Sequence, residues 1–200
     1  MPAEEEKNSK EIRILDAAQG LFSRFGLKKT SIEEIARTAG LGKGTIYLYF
    51  RSKEEIFEGV CKRFSQALTE KLREEVSLVS GHSEKLQKYI LTRLHFTFDV
   101  IKSNGLTLEI FDEATCTPSM VRVRDQFGSQ QIAFLKQIID EGVAAGEFAT
   151  SDSEVSSMAI FVAMDCLAKP WIFQGRELDL EDKVQALIEL YLKGLMKRMG

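Results

Sequence analysis

Residues 30–53 read TSIEEIARTAGLGKGTIYLYFRSK. Ile32, Ile35, Ala36 and Ala39 fall on one face of a short helix, which Thr30 opens in the Thr-x-x-Glu spacing of a capping box with Glu33 and Gly40 closes. A second short helix is predicted over Lys43 to Tyr49. Ser52 then starts a third, with its own capping box to Glu55. Ala36 and Ala39 are small enough for two helices to cross closely, and Gly40 accepts the turn conformation that a β-carbon resists. Ile35, Leu41, Ile46 and Phe50 supply a miniature core. Such a pair of helices presents its second member outward, at the size that enters the major groove of DNA.

Overall charge argues against a polyanion partner, since the 200 residues carry a net charge of −3. Its distribution argues for one. Between Lys7 and Lys53 stand ten Lys or Arg against four acids, Glu11, Asp16, Glu33 and Glu34, a net of +6, while the 147 residues that follow carry 17 bases and 23 acids, a net of −6. A basic head on an acidic body suits a protein that binds phosphates at one end only.

Outward from this stretch the periodicity is helical throughout, with no sustained strand alternation, so the fold class is all-α. Residues 1–8 read as a flexible tail. A first helix from about Ser9 carries Ile12, Leu15, Ala18, Phe22 and Phe25 on one stripe and stops at Gly26. The fourth helix, from Ser52 to about Val79, repeats apolar residues at Ile56, Val60, Phe64, Leu68 and Leu72 and is long enough to act as a lever. Ser83 caps a fifth helix bearing Leu86, Ile90, Leu94 and Phe98, and a short sixth covers Leu106 to about Ala114. Pro118 opens a seventh. Asp152 opens an eighth, with Val155, Met158, Ala159, Val162 and Cys166 on a stripe, and a ninth runs from about Leu180 to Met196. The division is therefore a 1–8 tail, a 9–53 helix-turn-helix domain and a 54–200 helical domain.

No apolar run approaches the ~18 residues of a membrane span, and the acidic MPAEEEKNSK start is unlike a signal peptide. The expected location is cytoplasmic. Cys61, Cys116 and Cys166 are odd in number, widely spaced and set in apolar surroundings, as buried free thiols are. His95, between Leu94 and Phe96, reads as a core histidine. Glu109, Asp112 and Glu113 read as a solvated face, without converging histidines for a metal. No nucleophile-base-acid set is visible, so no enzyme, cofactor or metal is expected.

The string TSIEEIARTAGLGKGTIYLYFRSKE, behind a helix that ends in F-x-x-x-G, resembles the N-terminal domain of the TetR/AcrR family of transcriptional regulators over residues 9 to about 60. The resemblance implies the family's nine-helix architecture and a homodimer formed through the eighth and ninth helices. It also implies a double-stranded DNA operator as partner, with a small-molecule effector in the C-terminal domain. On this footing Lys43, Thr45, Tyr47 and Leu48 face base edges. Gly44 allows close approach, and Tyr49 either packs inward or joins the contact. Thr30 and Ser31, at the start of the second helix, and Lys53, at the start of the fourth, are candidate phosphate anchors. Gly42 stands where a hydroxyl residue usually caps the recognition helix, a slightly weaker cap.

Phe98, Phe111, Phe127, Phe134, Phe161, Asp165 and Trp171 are the candidate effector residues. Asp165 stands out, because a charge amid Phe161, Val162, Met164 and Cys166 faces a ligand or needs a partner. The implied function is a ligand-responsive repressor released from a palindromic operator by an apolar effector. The alternative is a constitutive DNA-binding or protein-interaction module with no effector.

Overall fold

The computed structural model describes residues 2–103, 118–167 and 180–195. Among them are eight helices and no strand, namely α1 (Pro2–Lys29), α2 (Ile32–Ala39), α3 (Lys43–Tyr49), α4 (Lys53–Ser77), α5 (His82–Ser103), α6 (Pro118–Ala144), α7 (Ser153–Leu167) and α8 (Leu180–Leu195). The all-α class is as read. The sixth expected helix, at 106–114, lies outside the described residues, with Glu109, Phe111, Asp112, Glu113, Cys116 and Trp171. No described helix is long and apolar enough to cross a membrane.

The chain divides into two compact units, one of Met1–Gln66 with Val100–Asp125 and one of Ala67–Asp99 with Gln126–Gly200. The division falls inside α4.

In the first unit α1 begins at Pro2, so helix extends back through the segment read as a tail. Gly26 breaks its geometry at φ 81°, ψ 167°, where a side chain would be strained, and Leu27 turns back into the core. The stripe is rotated from expectation. Ile14, Leu15, Ala18 and Phe22 are buried, whereas Ile12 and Phe25 are exposed, and the Arg24 guanidinium lies 5.1 Å from the Phe25 ring centre. α2 packs on α1; Ile35, Ala36, Ala39, Ile46 and Phe50 are buried as expected, Leu41 of the same expected core is half-buried, and the Phe22 and Phe57 rings meet edge to face at 5.4 Å. Gly40 takes the left-handed conformation, φ 64° and ψ 38°, and its N–H closes α2 onto Ala36 and Arg37.

In the second unit Leu72, Leu86, Ile90, Leu94, Leu135, Ile138, Ile139, Ile160 and Met164 form the core. Asp152 caps α7, its carboxylate accepting from the N–H of Glu154 at 2.9 Å and of Val155 at 3.1 Å. The inner side of α7 is Ser157, Ile160 and Met164, so the Val155, Met158, Ala159, Val162 and Cys166 stripe faces outward. Cys166 is accordingly exposed, against the expectation of a buried thiol, while Cys61 is buried and its thiol is pushed up to about 12 by desolvation and the nearby Glu58. His95 is exposed too, on a different side of α5 from Leu94.

Ile46 is the one fully buried residue of α3 and the main apolar seat of that helix, with Thr45 and Tyr49 half-buried beside it. Ile46→Ala is expected to destabilise the first unit by about 2–5 kcal/mol, read as an earlier urea midpoint for that unit's circular-dichroism transition.

Candidate nucleic-acid interface and effector site

The α2–α3 pair is held by side chains that end its helices. Ser31, extended at φ −112° and ψ 157°, is the N-cap of α2; its hydroxyl accepts from the Glu34 N–H, while the Glu34 carboxylate accepts from the Ser31 N–H and hydroxyl, each at 2.8 Å. The capping box is therefore Ser31–Glu34, one residue later than the Thr30–Glu33 pair expected. Those hydrogen bonds hold the Glu34 carboxyl below its ordinary value. Thr30 is only 2% exposed, and its hydroxyl donates to the Gly26 carbonyl at 2.8 Å, bridging the break in α1. Its hydroxyl is thus turned inward, while Ser31 keeps a half-buried place at the helix start.

At the other end of α2, Arg13 donates from Nη2 to the Ala39 carbonyl at 2.6 Å and to that of Gly40 at 3.3 Å. Lys53 donates to the carbonyls of Thr30 at 2.9 Å and Lys28 at 3.3 Å. An ammonium has three donors, so Lys53 ties α4 to the end of α1 and still has one to offer a phosphate. Ser52 caps α4 by accepting from the Glu55 N–H at 3.2 Å. The Glu55 carboxylate accepts from Arg51, not from Ser52, so the second capping box closes one residue early.

Gly42 begins α3 with no side-chain cap, as read. Beyond it Lys43, Gly44, Tyr47 and Leu48 are exposed, Leu48 at 81% and Tyr47 at 49%, while Thr45 and Tyr49 are half-buried. Tyr47 and Leu48 thus form an exposed apolar pair on the outer side of α3. The exposed Lys43 ammonium pairs with the Glu33 carboxylate across the turn. The pairing lowers Glu33 and raises Lys43, each through that shared hydrogen bond first. Glu33 thus holds a cation where a cap was expected. Both partners are exposed, and such pairs contribute little to stability.

The candidate effector residues separate. Phe134, Phe161 and Asp165 come together around two side chains the sequence reading passed over, Tyr89 and Arg93. Tyr89 is fully buried, meets Phe134 edge to face at 5.6 Å and donates to the Gln131 carbonyl at 3.3 Å. Arg93 donates from Nε to the Gln131 side-chain oxygen at 2.9 Å, stacks on Phe161 at 4.6 Å and faces Asp165 at 3.6 Å. Phe127 is buried and Phe98 half-buried. The signal for Arg93 was in the sequence, since a cation one turn after Tyr89 interrupts the stripe Leu86, Ile90, Leu94. No group of metal-ligating side chains occurs among the described residues. A separate open groove of about 360 Å³, on another side of α5, is lined by Lys71, Glu75, Lys88, Thr92, His95 and Phe96 among others. Lys71 and Lys88 hold its Glu75 down to about 2.

A cationic helix-turn-helix with an exposed second helix, joined to a helical body, defines a DNA-binding regulator of transcription. Residues 14–60 match the family described as "Bacterial regulatory proteins, tetR family" and residues 82–188 match "Tetracyclin repressor-like, C-terminal domain". The chain belongs to the TetR family of transcriptional regulators. It is 29% identical to the uncharacterized HTH-type transcriptional regulator YhgD of Bacillus subtilis, over 91% of this chain and 94% of that one. With the fatty acid metabolism regulator protein of the same organism it shares 25% identity over 95% and 97% of the two chains. The fold matches the crystal structure of Bacillus subtilis FadR in complex with stearoyl-CoA at a TM-score of 0.75 and 22% identity, covering 92% of this chain and 98% of that one.

Because Glu33 occupies Lys43 and adds a negative charge beside α3, Glu33→Gln is expected to raise affinity for duplex DNA about two- to five-fold, measured by fluorescence anisotropy at fixed salt. Unchanged affinity would remove Lys43 from the contact.

Proposed function

We propose that this chain is a homodimeric repressor whose α3 reads a palindromic operator and whose second unit binds a small, largely apolar effector that releases it. The observation that carries the reading is the outward surface of α3, where Tyr47 and Leu48 stand exposed above a helix seated by Ile46. Tyr47 and Leu48 address base edges and thymine methyls, Thr45 and Tyr49 stand beside them, and Gly44 allows close approach. Lys43 exchanges Glu33 for DNA. Ser31 at the start of α2 and the remaining donor of Lys53 address flanking phosphates.

Dimerisation is supported by the outer surface of α7, where Val155, Met158 and Val162 are each at least half exposed, and by Leu190 of α8, 68% exposed. An apolar stripe of this kind on α7, with an exposed leucine on the next helix, asks for burial against a copy of itself. Two heads then address half-sites one helical turn, ~34 Å, apart. The effector reading draws on the similar fatty acid metabolism regulator and the stearoyl-CoA complex of FadR. An effector that favours one spacing of the heads over another by a coupling of ~1–3 kcal/mol shifts operator occupancy ~5–150-fold.

Selection of bound DNA from a random pool tests the reading directly. An inverted repeat is expected, and Tyr47→Ala should weaken binding to it ~10-fold or more without changing helicity; enrichment of no sequence, or full binding by the variant, contradicts it. For the dimer, Val162→Glu should shift the light-scattering mass in solution from two chains towards one, whereas an unchanged mass would place the interface elsewhere.

A further inference from the structure

Arg93 is the most heavily buried cation among the described residues, 7% exposed, and its bonds are incomplete. Nε has the Gln131 oxygen, and Nη2 has Asp165 at 3.6 Å, too long for a good hydrogen bond. Nη1 is buried and has no acceptor among the described residues. Buried polar atoms are normally paired, and a guanidinium is a fork built to grip two oxygens. Burial pulls the Arg93 value down, against the opposing pull of Tyr89 and Asp165. The group remains a cation.

The surroundings say what kind of acceptor suits it. Phe161 covers one side of the guanidinium at 4.6 Å, and the Tyr89–Phe134 pair lies one turn back along α5. Gly128 faces the Phe161 ring so closely that a β-carbon there would lie 3.2 Å from its tip, which leaves the ring room to hold that place. Asp165, partly exposed, already balances much of the charge. The missing group is therefore an oxygen acceptor set among aromatic side chains, and it need not bring a full charge of its own.

We propose that Arg93 is the polar anchor of the effector site, donating from Nη1 to the carbonyl or carboxylate oxygen of an acyl ligand whose chain lies on the aromatic side chains of α5, α6 and α7. This rests on the reading that the second unit binds an effector. Gln131 and Asp165 are positioning residues, holding Nε and Nη2 so that Nη1 points to the ligand.

The test uses the full chain and three probes of one length, dodecanoate, dodecanoyl-CoA and dodecane, measured by displacement of an apolar fluorescent dye. In the wild type the acyl probes are expected to displace the dye at concentrations at least ten-fold below dodecane. Arg93→Met should cost the acyl probes about ten-fold or more and leave dodecane within two-fold. Preference for dodecanoate over its thioester would assign a carboxylate, and the reverse a thioester carbonyl; both support the anchor. Acyl binding unchanged in Arg93→Met, or lost equally with dodecane, overturns it. Wild type that binds dodecane but neither acyl probe overturns the anchor and leaves the effector reading standing, whereas binding of none sinks both. If Arg93→Met loses its helical circular dichroism, Arg93→Lys replaces it. That variant keeps a cation beside Asp165 but loses the fork, and a selective loss for the acyl probes is again required.

Discussion

Helix ends leave carbonyls without partners, and in the head of this protein cations close them. Arg13 of α1 donates to the carbonyls of Ala39 and Gly40 at the end of α2, and Lys53 of α4 donates to those of Lys28 and Thr30 at the end of α1. Each interaction satisfies orphan acceptors and sets a positive charge at the negative end of a helix dipole. The first adds a polar tie at the left-handed Gly40 turn to the apolar packing of α2 on α1. Without the second, α4 is no longer tied to the segment that α2 starts from. The direction in which α3 presents Tyr47 and Leu48 follows from both. Cations that look from composition like a phosphate-binding surface are thus partly internal clamps, which is why the +6 of the head overstates what is offered to DNA.

Much of the head was legible in the sequence because its determinants are local. The apolar spacing of Ile35, Ala36, Ala39 and Ile46, the turn at Gly40 and the uncapped Gly42 all appear in the structure as read. What went astray depended on tertiary choice between chemically equivalent neighbours. Thr30 and Ser31 both make N-caps and Glu33 and Glu34 both make partners; burial of Thr30 against the Gly26 break decides for Ser31 and Glu34, and releases Glu33 to Lys43. The rotation of the α1 stripe and the outward Cys166 have a related cause. A helix in a multi-helix protein can bury either of two adjacent apolar stripes, and periodicity alone does not say which.

The body was legible only as helices. Its one informative feature, a cation set into an apolar stripe, is a tertiary fact, since Arg93 takes its meaning from Gln131 on α6 and from Phe161 and Asp165 on α7. A carboxylate among apolar neighbours asks for a partner, and for Asp165 that partner is Arg93. Ionic contact and aromatic stacking at one buried point couple three helices. A ligand oxygen that completed Arg93 would act on all three at once, and by linkage any change it made in DNA affinity would be matched by an equal effect of DNA on its own binding.

The central claim, that α3 is the DNA-reading surface, is tested most directly by hydrogen exchange of the backbone amides with and without the DNA selected by the protein. Slowed exchange concentrated in residues 43–49 and at the starts of α2 and α4 is the result this account predicts. Protection confined to the helices beyond α4, with 43–49 exchanging as in the free protein, would contradict it.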